Sequence, residues 1–308
     1  MKEIESWQNG EWIPNSKIGT KLWDAHFFFG YAVFDAFRTY DHKLHMLDCH
    51  INRLYKSAKL VDIDIGIEKY DLIKKVKEVM NHNKEFFEDD EYRFMIFVSP
   101  GFFKIYDDMG KTQTILTINT TTTSRYAKHI YPYIRNGLTS VITNQQQIPF
   151  RFLDSKIKSC SRLHYGLADV EAKKYSDNAY PILLDEFGYI AESSGSNVGF
   201  IKNNNLYFPD SKDMLEGCTM KFIERISNKV ELNFKKGSYT PYDLIDCDCI
   251  LYTSTFSGIL PSYTFIHKGN TYQLNKDKGH KIFDKLMIAF SNEVGVDIYN
   301  QWRNWYLG

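Results

Sequence analysis

The sequence has no long apolar segment, no excess of charge of either sign and no paired-cysteine motif. Among 308 residues, Lys+Arg and Asp+Glu each number 38, which argues against a basic surface for nucleic acid or an anionic membrane. No run of about eighteen apolar residues occurs, and the N-terminal segment lacks the apolar core of a signal peptide. We therefore expect a soluble cytoplasmic protein whose partners are small molecules.

The cysteines give no sign of a disulfide framework or of a metal site. Of the five cysteines, only Cys247 and Cys249 are close in sequence, and neither a CxxC motif nor a matching histidine pair accompanies them. The sequence therefore predicts reduced cysteines and no bound metal.

The length of the chain favours two domains. Its 43% hydrophobic residues can fill two cores. The threonine-rich residues 120–124 are predicted as a linker, and the acidic residues 88–91 as a solvated loop. Asn9-Gly10 lies between two short apolar runs and predicts a β-hairpin at the start of an antiparallel sheet.

A lysine near a helix start is the first candidate for chemistry. Lys158 precedes a predicted helix over residues 161–175. Its apolar residues at helical spacing are Leu163, Gly166, Leu167, Val170 and Ala172. A lysine amine that attacks a carbonyl has to be partly desolvated or placed beside positive charge. Taken alone, Lys158 would be read as an ordinary surface lysine.

A carboxylate follows at the end of a predicted hairpin. Its strands are expected at residues 179–184 and 188–191, with a glycine near the turn. Glu192 ends the second strand beside residues 193–196, whose small side chains let a ligand approach the backbone closely. A lysine that bonds a carbonyl and a carboxylate that keeps a ring nitrogen protonated are what pyridoxal phosphate chemistry requires.

An arginine lies on a predicted helix after a strand. The strand is expected at residues 33–40, and Asp48 is predicted as the N-cap of a helix whose apolar face includes Ile51 and Leu54. Arg53 falls on a different face of this helix. By itself it indicates no more than a solvated arginine.

Two further segments could contact a phosphate. Residues 215–220 place Gly217 before a helix start, where unpaired backbone N–H groups favour anions. A buried strand predicted at residues 249–254 ends in Ser254 and Thr255, which supply hydroxyl and amide donors.

Together these motifs resemble the class IV aminotransferases, the pyridoxal-phosphate enzymes of fold type IV. The resemblance extends from Asn9 to the region of Ile282. The segments that carry it are Lys158 with Glu171-Ala172 at the family's spacing, the hairpin ending in Gly188-Tyr-Ile-Ala-Glu192, "ESSGSNVGF", His50-Ile-Asn-Arg53-Leu54, "LEGCTM" and Ser254-Thr255.

The resemblance implies an α/β fold with the two-domain, fold type IV architecture of D-amino-acid aminotransferases. A smaller N-terminal α/β domain would cover residues 1–121. A larger C-terminal α/β domain with the cofactor lysine would cover residues 122–308. Pyridoxal phosphate would lie between them, and a homodimer would complete each active site.

Residue roles also follow from the resemblance. Lys158, preferred over Lys156 by its spacing, would hold the cofactor as a Schiff base and move the substrate proton, and Glu192 would pair with the pyridine nitrogen. The side chains implied to contact the cofactor phosphate are Arg53, Cys218, Thr219, Ser254 and Thr255. The side chains expected at the substrate pocket are Phe34, Arg38 and Phe256.

The subfamily remains open at this level. Phe34-Asp35-Ala36-Phe37-Arg38 is similar to the Phe-Glu-Gly-x-Arg of branched-chain aminotransferases, but Arg162-Leu163 replaces their Asn-Tyr. D-Amino-acid aminotransferases share the start of the lysine motif but usually have Tyr at position 34. Aminodeoxychorismate lyases use a catalytic threonine where this chain has Ala36. Two further departures from the family pattern are Met220, where an arginine is usual, and Phe256, where a small residue is usual.

We therefore predict a transaminase that acts on a branched-chain or other apolar amino acid and a 2-oxo acid. The alternatives are a D-amino-acid aminotransferase, an aminodeoxychorismate lyase, which Ala36 disfavours, and a catalytically silent family member. The intact Lys158, Glu192 and Arg53 argue against the silent member.

Overall fold

The computed structural model of the protein describes residues 2–103, 105 and 113–308. The chain forms two compact units, one of Met1–Ser124 with Ile157–Arg162 and one of Arg125–Lys156 with Leu163–Gly308. Lys158 therefore belongs to the first unit by its contacts. The domain boundary after residue 121 stays a prediction.

The first unit contains an antiparallel sheet, in which the described residues form six strands. Their order across the sheet is β2-β1-β6-β5-β3-β4. The strands are β1 (Glu5–Gln8), β2 (Glu11–Pro14), β3 (Val33–Tyr40), β4 (Lys43–Leu44), β5 (Tyr92–Ser99) and β6 (Ile115–Thr122). The predicted hairpin at Asn9-Gly10 is confirmed: both residues have positive φ, and β1 pairs with β2 across them.

Helices cover one face of this sheet. They are α2 (Leu47–Leu60) and α3 (Lys69–His82), and a short helix, α1 (Ala25–Phe29), precedes β3. Phe37 of β3, Leu54 of α2 and Val76 of α3 belong to one buried core. Asp48 lies inside the first turn of α2, which has Met46 as its N-cap, so the predicted N-cap at Asp48 is wrong.

Two loop predictions in this unit are wrong in part. Thr120 and Thr122 belong to β6, because β-branched threonines suit a strand paired with β5. Glu91 is 4% exposed, although residues 88–91 were predicted as solvated. Its carboxylate accepts hydrogen bonds from the Thr39 hydroxyl and the Asp41 amide, which compensate for its burial.

The second unit is built on a mixed sheet, which has nine strands in the described chain. Its order is β12-β11-β10-β13-β14-β7-β8-β9, with β15 paired to β14. The strands are β7 (Leu138–Ile142), β8 (Ala179–Leu184), β9 (Ile190–Glu192), β10 (Asn197–Lys202), β11 (Asn205–Pro209), β12 (Asn233–Gly237), β13 (Cys249–Ser254), β14 (Gly258–His267) and β15 (Asn270–Gln273). The hairpin predicted before Glu192 is confirmed by the antiparallel pairing of β8 with β9.

The helices of the second unit are α4 (Ala127–Asn136), α5 (Leu163–Ala172), α6 (Cys218–Ser227), α7 (Lys276–Val294) and α8 (Ile298–Leu307). The predicted apolar face of α5 is wrong except at Ala172. Leu163 and Val170 are 77% and 63% exposed, whereas Ala168 and Ala172 are buried. Ala172 packs against Val141 and Ala179, because its small side chain lets the helix lie close to the sheet.

All five cysteines are free. Within the described residues, no helix is long and apolar enough to cross a membrane. The same part of the chain holds no cluster of three or more histidine, cysteine or carboxylate side chains that could bind a metal.

Candidate active site

The backbone of Lys158 is fixed between β3 and α2 in the first unit. Its amide donates to the buried hydroxyl of Ser57 at 3.0 Å, and its carbonyl accepts from the Phe34 amide at 3.0 Å. One residue further on, Ser159 forms a bridge with Val33. The lysine is therefore held at its main chain by a strand and a helix of the same unit.

The side chain of Lys158 extends over an aromatic ring. Its Nζ lies 4.8 Å from the ring centroid of Phe34, and the Arg162 guanidinium lies 5.6 Å from the same centroid. The lysine and the arginine therefore approach the same aromatic ring, an arrangement typical of cation–π contacts. Burial raises the pKa of the neighbouring Cys160 thiol to about 12 despite these cations, so this thiol does not compete as a nucleophile.

One face of α2 directs polar groups toward β3 and the lysine segment. His50, Arg53 and Ser57 are spaced i, i+3 and i+7, which places them on one side of the helix. Nδ1 of His50 lies 2.7 Å from the fully buried carboxylate of Asp35. Arg53 donates two N–H groups to the same carboxylate, each at 2.8 Å. This bidentate pair fixes the guanidinium, which could then present a rigid donor to an anion.

The charges of this cluster follow from its burial. Burial would raise the pKa of Asp35, but the Arg53 charge and the hydrogen bonds from Arg53 and His50 hold it well below its ordinary value. Burial, together with the charges of Arg53 and Lys158, lowers the pKa of His50 by more than the Asp35 carboxylate raises it. His50 is therefore neutral at pH 7 and donates its Nδ1–H to Asp35.

The predicted pocket residues of β3 lie on the strand face opposite Asp35, as the alternation of a strand requires. Phe34 is half-buried beside Lys158. Arg38 is fully buried, with its Nε donating to the Thr39 carbonyl and its guanidinium 4.2 Å from the Tyr40 ring centroid. Phe37 belongs to the core with Phe94 and does not line a pocket.

In the second unit, Glu192 lies at the centre of a buried hydrogen-bond network. Its Oε1 accepts from the Tyr165 hydroxyl and from Nε2 of Gln147, both at 2.6 Å. Its Oε2 lies 3.4 Å from the Leu215 amide. Glu192 is 5% exposed, so these donors compensate for the burial of a carboxylate.

Asn197 joins the two phosphate-site candidates of this unit. Its Nδ2 donates to the Leu215 carbonyl at 2.7 Å. A Cβ on Gly217 would lie 1.9 Å from its Oδ1, so only glycine fits before α6. In the sheet, Asn197 pairs with Thr253. The start of α6 at Cys218 therefore meets the end of β13 through Asn197.

The donors around Asn197 fit a phosphorylated ligand. Cys218 and Thr219 form the first turn of α6, which has no side-chain cap, and a helix N-terminus favours anions. At the end of β13, the Ser254 hydroxyl contacts Ser257 at 2.7 Å, and Thr255 and Phe256 follow in the turn. In the described chain, the buried hydroxyls of Ser193, Ser196 and Thr253 have no hydrogen-bond partner. Such groups are expected where a ligand completes the site.

The sequence alone did not indicate several residues that contact Lys158, Glu192 or Gly217. The i+4 spacing from Arg53 could have identified Ser57. No local signal identifies Gln147, Tyr165 or Asn197, because each acquires its partner through sheet pairing or a distant helix.

Comparisons with known proteins agree on one family. The profile described as Amino-transferase class IV matches residues 32–262. A Methanocaldococcus jannaschii protein, whose name assigns it to the branched-chain-amino-acid aminotransferases, is 26% identical over 95% of this chain and 98% of its own. The D-alanine aminotransferase of Bacillus licheniformis is 25% identical over 82% and 85% of the two chains. The aminodeoxychorismate lyase of Bacillus subtilis is 25% identical over 85% and 86%.

Solved structures confirm the predicted fold type IV architecture. The branched-chain amino acid aminotransferase of Thermobaculum terrenum, solved in its PLP-form, superposes with a TM-score of 0.79 at 19% identity and covers 98% of this chain and 97% of its own. Because the family profile spans most of the chain, the protein belongs to the class IV aminotransferases and is a pyridoxal-phosphate-dependent transaminase.

Proposed function

We propose that this transaminase moves an amino group between a branched-chain or other apolar amino acid and a 2-oxo acid, with Lys158 as the residue that bonds the cofactor. The observation that carries the proposal is the position of Lys158 Nζ, 4.8 Å from the Phe34 ring centroid. This ring gives the reacting amine an apolar neighbour, which suits an apolar substrate side chain.

Two residues carry the reaction in this proposal. Pyridoxal phosphate, when bound, supplies the carbonyl group that takes up the amino group and a ring that withdraws electrons. Lys158 would hold the cofactor through Nζ, and the same amine would move a proton between the substrate α-carbon and the cofactor. Glu192 would accept a hydrogen bond from the ring nitrogen and favour its protonated form.

Five side chains are proposed to hold the phosphate, and Arg53 is one of them. Arg53 is held rigid by Asp35, which favours bidentate recognition of phosphate oxygens. The remaining donors come from the start of α6 and the end of β13, namely Cys218, Thr219, Ser254 and Thr255. Their chain neighbours Gly217 and Thr253 both lie against Asn197, which supports this assignment.

The substrate pocket is proposed to include Phe34 and Phe256, with Arg38 supporting β3 from the buried side. Phe34 lies beside Lys158, and Arg38 is held by Thr39 and Tyr40. Ala36 has no group that can donate or accept a proton. This absence disfavours aminodeoxychorismate lyase activity relative to amino transfer, while D-amino acids remain the alternative substrates.

The enzyme is proposed to act in the cytoplasm as a homodimer. Exposed apolar side chains support a second copy: Leu163, Leu167 and Val170 line one side of α5, at 77%, 46% and 63% exposure. Monomeric proteins seldom leave such a patch uncovered. Analytical sedimentation tests the dimer. The parent protein is expected to be dimeric and the Leu167→Lys variant monomeric.

A transamination panel tests the proposed reaction. The purified holoenzyme is incubated with L- and D-amino acids, each paired with several 2-oxo acids, and with aminodeoxychorismate. The fastest product is expected from an apolar amino acid. Faster release of pyruvate from aminodeoxychorismate than any amino transfer would overturn the proposal, and a D-amino acid as the best donor would replace it with the D-specific alternative.

A further inference from the structure

The hydrogens of the Glu192 network can be assigned without conflict. His164 Nε2 lies 3.0 Å from the Gln147 carbonyl oxygen. One Gln147 amide hydrogen points to the Tyr165 hydroxyl at 2.8 Å and the other to Glu192 Oε1 at 2.6 Å. The Tyr165 hydroxyl donates its own hydrogen to Glu192 Oε1 at 2.6 Å. These contacts form a continuous hydrogen-bond chain from His164 through Gln147 to Glu192.

The identity of these donors determines what the network does. A phenol and a carboxamide are neutral, so they stabilise an ionised carboxylate without cancelling its charge. Because both donors reach the same oxygen, they also restrict rotation of the Glu192 side chain. Hydrogen bonds of this kind favour the ionised form of a buried carboxylate.

We propose that Tyr165 and Gln147 are positioning residues that hold Glu192 ionised and oriented for the cofactor ring nitrogen, with His164 fixing the Gln147 amide. This inference rests on the role proposed above for Glu192. Tyr165 and Gln147 act through Glu192 and need not contact substrate. The network therefore assigns a role to a glutamine and a tyrosine that no local sequence pattern identifies.

A double-mutant cycle tests this role. Tyr165→Phe removes one hydroxyl and keeps the ring, so kcat is expected to fall about tenfold, the value of one hydrogen bond to a charged group, with KM within about twofold. In the Glu192→Gln background the same change is expected to lower kcat by less than about twofold, because its target carboxylate is gone. The exposed Tyr175→Phe is the matched control and is expected to keep the parental kcat.

The absorbance maximum of the bound cofactor gives a readout other than activity. Glu192→Gln is expected to shift this absorbance maximum. Tyr165→Phe and Gln147→Leu are expected to shift it in the same direction by a smaller amount. Thermal unfolding of each apoprotein shows whether a variant is folded. If Gln147→Leu fails to fold, Gln147→Met keeps a similar volume and replaces it.

The outcomes separate this inference from the function on which it rests. If Tyr165→Phe lowers kcat equally in the parent and Glu192→Gln backgrounds, or leaves both kcat and the absorbance maximum unchanged, the positioning role is wrong. If Glu192→Gln itself keeps the parental kcat, the proposed role of Glu192 has failed instead.

Discussion

The candidate residues of each unit include a buried carboxylate in a hydrogen-bond network, and Asp35 and Glu192 receive their hydrogen bonds from different kinds of donor. Asp35 in the first unit is paired with the Arg53 guanidinium through two hydrogen bonds of 2.8 Å. Glu192 in the second unit accepts its two shortest hydrogen bonds from neutral groups, Tyr165 and Gln147. The Asp35 charge is paired with the charge of Arg53, whereas neutral groups donate the shortest hydrogen bonds to Glu192. Asp35 therefore serves to orient another residue, and Glu192 is held in place by neutral donors.

The largest effect is expected from breaking the charged pair. Asp35→Asn leaves Arg53 buried without its counter-charge, and the loss of one partner of a buried pair costs about 3–5 kcal/mol. Urea unfolding of the apoprotein measures this cost. Glu192→Gln is the matched variant, because neutral groups donate the shortest hydrogen bonds to this carboxylate. Its free energy of unfolding is expected to fall by less than that of Asp35→Asn.

Acid titration sharpens this prediction. Because the folded-state pKa of Asp35 is lowered, its stabilisation is present above its unfolded pKa of about 3.9 and is lost as the pH falls through the lower, folded value. The difference in unfolding free energy between parent and Asp35→Asn should therefore be constant from about pH 5 to 8 and shrink only below about pH 4. A difference that disappears near neutral pH would contradict the ion pair.

Glu192→Gln is expected to lower turnover by about a hundredfold or more, on the order of the contribution of a catalytic group, while the cofactor stays bound. An amide cannot stabilise a protonated ring nitrogen in the way that a carboxylate can. Single-turnover kinetics with an amino-acid donor measure the loss. Parental rates would show that Glu192 is not the ring partner.

A smaller change is expected at Arg53. Arg53→Ala should weaken cofactor retention by about ten- to a hundredfold, the value of a charged hydrogen bond of about 1.5–3 kcal/mol. Equilibrium dialysis against pyridoxal phosphate measures this affinity. The exposed Lys56→Ala on the same helix is the matched control; equal cofactor affinities in the two variants would return Arg53 to a purely structural role.

The smallest effect is expected at Ser57. Ser57→Ala leaves the Lys158 amide without its hydroxyl acceptor, at a cost of about 1 kcal/mol in unfolding free energy. Unchanged stability together with unchanged turnover would show that this contact does not fix the lysine segment.

Local signals predicted much of the fold. β3 begins and ends at the predicted residues, 33 and 40, and β13 matches residues 249–254, because strand alternation and flanking turn residues are encoded nearby. The failures arose where distant partners decide the outcome. Glu91 is buried because Thr39 and Asp41 donate hydrogen bonds to its carboxylate. In α5, Ala172 is buried because it packs against strands of the sheet.

The candidate site follows the same rule. Motif spacing identified Lys158, Glu192 and Arg53, because these residues lie inside ordered family motifs. No role was predicted for Asp35, Gln147 or Asn197. Each contacts side chains or backbone groups that are distant in the sequence, so no local pattern indicates its function. Which amino acid fits the pocket also depends on such contacts, so the sequence narrowed the substrate only to an apolar class.

Borohydride reduction and peptide mapping of the purified protein test the proposed bond between Lys158 and the cofactor. Reduction converts the bond between cofactor and lysine into a stable amine, so the labelled peptide identifies the residue. We expect a yellow protein, label on Lys158 in the parent and in Lys156→Ala, and no label in Lys158→Ala. Label on Lys156, or on no lysine of a protein saturated with pyridoxal phosphate, would contradict the account.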